Sequence, residues 1–293
     1  MHAMKAILVP TEHNPEHGAA MLSALDSALL LARKFGSCIE GFASRPAVAD
    51  MLAMEPDAGL TMVAIKENDA EMMRQAEDAF RKFMDRNGVK ARADQPPASA
   101  PTPADVVSWS WFSSAPGGND FVGSYGRVFD IIVLARPGEQ WQSPSMVTLE
   151  SALFESGRPV LIAPPVSPRS LGTNVLIAWN RSTEQARATA LAMPLLRLAE
   201  RITILTVEGA TVAGPDGADL ARSLATNGIN AEPITIAPGK TSAGETILAK
   251  AAELGCDLIV KGAYTQSRLR QMIFGGTTRH ILAHAKLPVL MAH

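Results

Sequence analysis

The chain repeats itself at half-length, and that repeat constrains the fold more than any single motif. "AILVPTEHN" (Ala6–Asn14) resembles "NVLIAWNRS" (Asn174–Ser182). "DIIVLARPG" (Asp130–Gly138) resembles "DLIVKGAYT" (Asp257–Thr265), and "RPVLIAPP" (Arg158–Pro165) resembles "LPVLMAH" (Leu287–His293). Matched segments in one order argue for a duplicated unit. The boundary falls in "PPVSPRSLGT" (Pro164–Thr173), which has the Pro, Ser and Gly content of a linker, so the predicted domains are 1–166 and 167–293.

Strands alternate with helices in each unit. In the second, strands are expected at Val175–Trp179, Ile202–Val207, Ala231–Ile236, Leu258–Lys261 and Pro288–Met291. Helices are expected from Ser182, near Asp219–Asn227, from Ser242 and over Thr277–Ala285. The Ser182 helix has a capping-box pattern with Gln185, and Ala186, Ala190, Met193 and Leu196 fall at helical spacing. Pro194 predicts a kink near its middle. In the first unit, Met21, Leu22, Leu25, Leu29 and Ala32 mark one helix; Ala70, Met73, Ala76, Phe80 and Phe83 mark another. "VVSWSWF" reads as the third strand, with Trp109 and Trp111 on one face. A long connection (46–62) and a Pro-rich loop (94–105) interrupt this half.

The strands are continuous apolar runs, as expected of strands buried on both faces. The predicted fold class is therefore α/β. Two tandem doubly wound (Rossmann-like) domains are expected, each a mainly parallel five-stranded sheet with helices on both faces. Ligands in such sheets sit beyond the carboxyl ends of the strands. Hydrophobic residues make up 47% of the chain, enough for a sizeable core. Net charge is −2 without a block of Lys or Arg, which argues against nucleic acid. No apolar run is long enough for a bilayer and no signal pattern opens the chain, so no membrane association and a cytoplasmic location are expected. Cys38 and Cys256 read as small buried hydrophobes.

One stretch carries the chemistry. "VKGAYTQSRLRQMIFGGTTRHIL" (Val260–Leu282) places Gly262 after an apolar run and Gly275-Gly276 before the last helix. Helix N-termini favour anions through free amides and the helix dipole, and glycine lets a ligand approach the backbone. The stretch is neither a Walker A loop nor a dinucleotide fingerprint.

These residues resemble the universal stress protein (UspA-like) family, whose glycine signature reads G-x2-G-x9-G-S/T. Gly262 matches the first glycine and Gly275 the third. Thr265 stands at the second, and Gly276 at the Ser/Thr position, followed by Thr277 and Thr278. With the "ILVP" opening and the "PVL" endings, the resemblance spans nearly the whole chain as a tandem two-domain form. It implies a stress-response or regulatory protein, with ATP or another adenine nucleotide as ligand of the C-terminal domain only. The implied binding residues are Trp179, Asn180, Val207, Gly262, Thr265, Gly275, Gly276 and Thr277. The family's nucleoside-holding aspartate is replaced by Glu12 in the first half and Asn180 in the second. The first half, with Gly138 alone, has no glycine loop and reads as a degenerate site. The resemblance also implies that Val289–Met291 pairs with Val160–Ile162 as an intramolecular pseudo-dimer; further homo-oligomerisation stays open.

Other constellations are set aside. His280 and His284 share a helix face but have no third metal ligand in sequence, and His13 and His17 read as surface residues. "GPDGAD" (Gly214–Asp219) is a turn and cap. Arg268 and Arg270 lie in the loop and could meet phosphate charge, though such residues are more often plain solvated charges; Lys261 ends a strand at the mouth, where it could reach a ligand, against the plainer reading of a side chain snorkelling from the sheet edge. No catalytic residue and no metal is assigned. Two rival readings remain: a slow ATP-using enzyme, and an interaction module with no small-molecule ligand.

Overall fold

The computed structural model describes residues 4–12, 18–45, 62–92, 106–118, 120–137, 146–237, 239–263 and 276–293. The long connection, the Pro-rich loop, His13, His17, Arg268 and Arg270 lie outside the described residues.

The described strands are β1 (Ala6–Thr11), β2 (Cys38–Ala43), β3 (Lys90–Ala91), β4 (Ser108–Phe112), β5 (Ile131–Leu134), β6 (Val160–Ile162), β7 (Asn174–Ala178), β8 (Arg201–Val207), β9 (Glu232–Ile236), β10 (Leu258–Gly262) and β11 (Val289–Ala292). The helices are α1 (Gly18–Phe35), α2 (Met62–Arg86), α3 (Phe121–Tyr125), α4 (Met146–Glu155), α5 (Thr183–Leu196), α6 (Gly217–Thr226), α7 (Ala243–Glu253) and α8 (Gly276–His284). All strands join one sheet in the order β3-β4-β2-β1-β5-β6-β11-β10-β7-β8-β9. The arrangement is α/β and doubly wound, as expected from the unbroken apolar strands. One half of the sheet mirrors the other about β6 and β11.

Those two strands meet antiparallel, with Val289 opposite Ile162, Leu290 opposite Leu161 and Met291 opposite Val160. Every other ladder among the described strands is parallel. All six side chains at the meeting point are fully buried. An apolar edge strand left open would template aggregation, and here each half covers the other's edge.

Helices pack on both faces. One core joins α1, α2, α5 and α6 to alternate strand residues such as Ile7, Val9, Val175 and Ile177. The other joins α3, α4, α7 and α8 to Leu8, Ile132, Leu176 and Ile259. Trp109 and Trp111 do share a face, and both rings pack against Phe80 of α2.

Several local expectations change. The first half carries a sixth strand: the turn at Asn87-Gly88, with Gly88 at φ +68°, returns the chain so that β3 lies along β4. Pro194 sits in the last turn of α5, so no mid-helix kink is required of it. The buried stripe of α5 is Gln185, Ala188, Thr189, Ala192, Leu195 and Leu196, whereas Ala186 and Ala190 face solvent. Alanine is too small and too tolerant of water to mark a face by itself. The cap of α5 is half the predicted box. Ser182 Oγ accepts from the Gln185 amide at 3.2 Å, but the Gln185 side chain turns into the core. By contrast, Asp216 with Asp219, and Ser242 with Glu245, complete reciprocal capping boxes for α6 and α7.

The two halves are also tied by a side chain. Arg136 follows β5, is 8% exposed, and donates through Nη1 to the carbonyls of Leu282 (2.6 Å) and Ile281 (3.2 Å) in the last turn of α8. Orphan carbonyls at a helix C-terminus favour a cation there.

Candidate functional site

The switch point of the C-terminal half lies between β7 and β10, which continue outward as β8 and β11. Two helix N-termini converge on the carboxyl end of β10. A Cβ added to Gly262 would lie 2.4 Å from the amide nitrogen of Gln185 and 2.7 Å from the carbonyl carbon of Glu184, so the first turn of α5 touches the strand. On the other side, Lys261 Nζ reaches Thr278 Oγ1, in the first turn of α8.

Gly262 was expected among the binding residues, at the mouth of the site. The structure gives it a different task, close packing of strand against helix. Gln185 explains the closeness. β7 pairs with β10 only through Leu258–Val260. Beyond that, the Gln185 amide substitutes for the missing strand: its Oε1 accepts from Gly262 N (2.7 Å) and its Nε2 donates to Val260 O (3.4 Å). Buried backbone groups at the sheet end are thereby satisfied.

Lys261 does not snorkel. It is 8% exposed, and Nζ donates to Gly262 O and to Thr278 Oγ1, each at 2.9 Å. Burial pushes its pKa down to about 8. No carboxylate pairs with it among the described residues. Gly276 opens α8 and is exposed, and a Cβ there would meet nothing within 4 Å among the described residues.

The end of β7 is held by a strap. Asn180 Oδ1 accepts from Ser182 N at 3.2 Å, and its carbonyl accepts from Val212 N at 3.1 Å. Arg181 has φ +68°, the one positive-φ residue other than glycine among those described. A side chain in that region costs about 1 kcal/mol or more. Its ion pair with Glu208 (2.7 Å) holds it there. Trp179 is not a lining residue. It is 5% exposed, sits in the core, and donates from Nε1 to Pro215 O at 2.9 Å. Its ring falls on the α5 and α6 side because strand residues alternate. Val207 is buried on the opposite face, with Ala178 and Ile259. Thr277 follows Gly276 in the first turn of α8. Thr265 and Gly275 lie outside the described residues.

Of the expected set, Asn180, Gly262, Gly276 and Thr277 thus belong to the elements around the mouth, with Val207 at the end of β8. Arg181, Gln185 and Thr278 were missed as functional positions, and Lys261 was weighed as a ligand contact but left out of the expected set. A signal existed for Lys261: it is the only charged residue in the run Leu258–Ala263. The histidine pair of α8 is local. The rings stack at 4.2 Å, and His284 Nδ1 lies 2.9 Å from the carbonyl oxygen of His280.

At the matching mouth of the first half, Glu12 follows β1. Burial raises its pKa to about 7 from an ordinary 4.5. The folded protein therefore binds a proton here that the unfolded chain releases between pH 4.5 and 7, so stability falls as pH rises through that window. Wild-type protein is expected to lose about 2 kcal/mol across it from this group, and Glu12→Gln to lose none of that share. Urea titrations at pH 4.5, 6 and 7 read the difference directly; parallel curves for the two proteins would refute the assignment. Just past the end of the neighbouring strand β2, Arg45 is buried against Asp69 of α2, with Nη2 at 3.2 Å from Oδ2, and donates to Ala115 O at 3.1 Å. Its charge is already answered within the fold.

A sequence model of the universal stress protein family matches residues 173–293. Among solved structures, the chain is similar to a universal stress protein from Archaeoglobus fulgidus DSM 4304, with 18% identity, 99% of each chain covered and a TM-score of 0.70. It is also similar to a functionally unknown protein from Pseudomonas aeruginosa PAO1, with 14% identity, 99% of this chain and 92% of that one covered, and a TM-score of 0.52. At such identities these structures show a shared fold. No curated protein matches the chain in sequence. Among the described residues, no helix is long and apolar enough to cross a membrane. Residues 173–293, the half that carries the mouth between β7 and β10, are thus where the chain is similar in sequence to the universal stress protein family.

Proposed function

We propose that the C-terminal half binds ATP or a related adenine nucleotide at the carboxyl ends of β7, β8 and β10, and that the protein serves a regulatory role in the cytoplasm. The observation that carries this reading is the exposed start of α8, set beside a second helix N-terminus and above a buried lysine that pairs with no carboxylate among the described residues. Each of these features favours an anion. Asn180, at the end of β7, stands where the resemblance puts the nucleoside-holding side chain. The first half is proposed as a structural partner: Glu12 is desolvated and Arg45 is committed to Asp69.

Gly276→Asp provides the test. A carboxylate at a helix N-terminus stabilises the helix by about 0.5 kcal/mol, so the variant should melt no lower than wild type. The same charge would repel a phosphate. Calorimetric titration with ATP should show binding to wild type and none to Gly276→Asp. Equal binding by both proteins would place the nucleotide elsewhere, and no binding by wild type would leave the interaction-module reading.

A further inference from the structure

Lys261 has features that folding does not explain. The ammonium carries three N–H donors, and the described fold supplies two acceptors, a carbonyl and a hydroxyl, both neutral. Burying a cation without a counter-charge is unfavourable. The N-terminus of α8 adds partial positive charge beside it. The sequence between β10 and α8, residues 264–275, contains no Asp or Glu. The position does not need a lysine to fold, because the duplicated half provides an internal control. "DIIVLA" aligns with "DLIVKG", which puts Leu134 at the place of Lys261, and Leu134 is buried in the same way at 2% exposure.

We propose that Lys261 is the phosphate-selecting residue of the C-terminal mouth, steadied by Thr278 beneath the first turn of α8, so that the site prefers nucleoside polyphosphates to uncharged nucleosides. This rests on the nucleotide reading above and adds the group that discriminates by charge. An anion at the mouth supplies the counter-charge that the described residues do not. Thr278 Oγ1 fixes the ammonium against the helix, which keeps the flexible lysine from folding away.

Calorimetric titrations of wild type and Lys261→Met with ATP, adenosine and tripolyphosphate test it. ATP should bind wild type at least about tenfold more tightly than adenosine. In Lys261→Met, ATP affinity should fall by about tenfold while adenosine affinity stays within about twofold. Methionine keeps the side-chain length and removes a buried charge, so the variant should melt at or above the wild-type temperature. Should Lys261→Met fail to fold, Thr278→Val supplies the same comparison through loss of the anchoring hydroxyl. An unchanged ratio of ATP to adenosine affinity in the variants overturns the role of Lys261 and leaves the nucleotide reading intact. If wild type binds neither ATP nor adenosine but binds tripolyphosphate through Lys261, the nucleotide reading falls and the anion site stands. Binding of none of the three overturns both.

Discussion

Gly262→Ala is expected to destabilise the protein by roughly 3 kcal/mol, while the neighbouring change Gly276→Ala alters stability by less than about 1 kcal/mol. The two glycines read alike in sequence, yet their surroundings are opposite. A Cβ at Gly262 would stand 2.4 Å from one backbone atom of α5 and 2.7 Å from another. Backbone cannot swing aside as a side-chain end can, so α5 must move outward. That movement would pull Gln185 from the Gly262 amide and the Val260 carbonyl, leaving buried polar groups unpaired. At Gly276 an added methyl meets nothing within 4 Å among the described residues. Urea denaturation of both variants measures the contrast. A Gly262→Ala protein within about 0.5 kcal/mol of wild type would mean that the strand and helix are looser than the structure shows.

The second large effect is expected at Arg136. Arg136→Ala should cost about 3 kcal/mol, through lost hydrogen bonds to charged donors and an unfilled space between the halves. The guanidinium is the partner of the last-turn carbonyls of α8, and those groups are buried with it. There is an opposing contribution. Nη2 is buried with no hydrogen-bond partner among the described residues, and burial pushes the arginine pKa down to about 10. That desolvation cost disappears in the variant, which is why the expected loss is not larger. Hydrogen exchange should localise the effect: amides of 282–285, at the end of α8, should exchange faster in the variant, while those of β8 should not. Because α8 also opens the proposed site, Arg136→Ala should weaken ATP binding without touching a ligand. Unchanged exchange in α8 would show that the carbonyls find other partners.

The sequence made much of this legible, for identifiable reasons. Strands buried on both faces must be apolar throughout, so β5, β7, β10 and β11 announced themselves as runs of Val, Ile and Leu. Helix caps are local, so Ser242-x-x-Glu245 could be read from spacing. Repetition is visible in a linear string, so the duplicated plan was too. Where single residues were misread, the missing information was a neighbour distant in sequence. Ser182-x-x-Gln185 has the spacing of a capping box, but the glutamine is recruited 75 residues away, to Val260. Trp179 looked like a residue at the rim of a site. Its indole instead finds an acceptor at Pro215, and the ring is drawn into the core.

The amino-acid string by itself determined the alternation of strand and helix, the duplication, and the presence of a lysine and a glycine at the end of the fourth strand of the second half. Those follow from periodicity and composition, which act over a few residues. Only the tertiary structure decided what each residue does there. It brought the first turns of α5 and α8 to one strand end, committed Gly262 to packing, left Gly276 exposed, and buried Lys261 between them with no carboxylate among the described residues. Such assignments depend on distances between elements far apart in the chain, and those distances exist only once the sheet has closed and the helices have packed upon it.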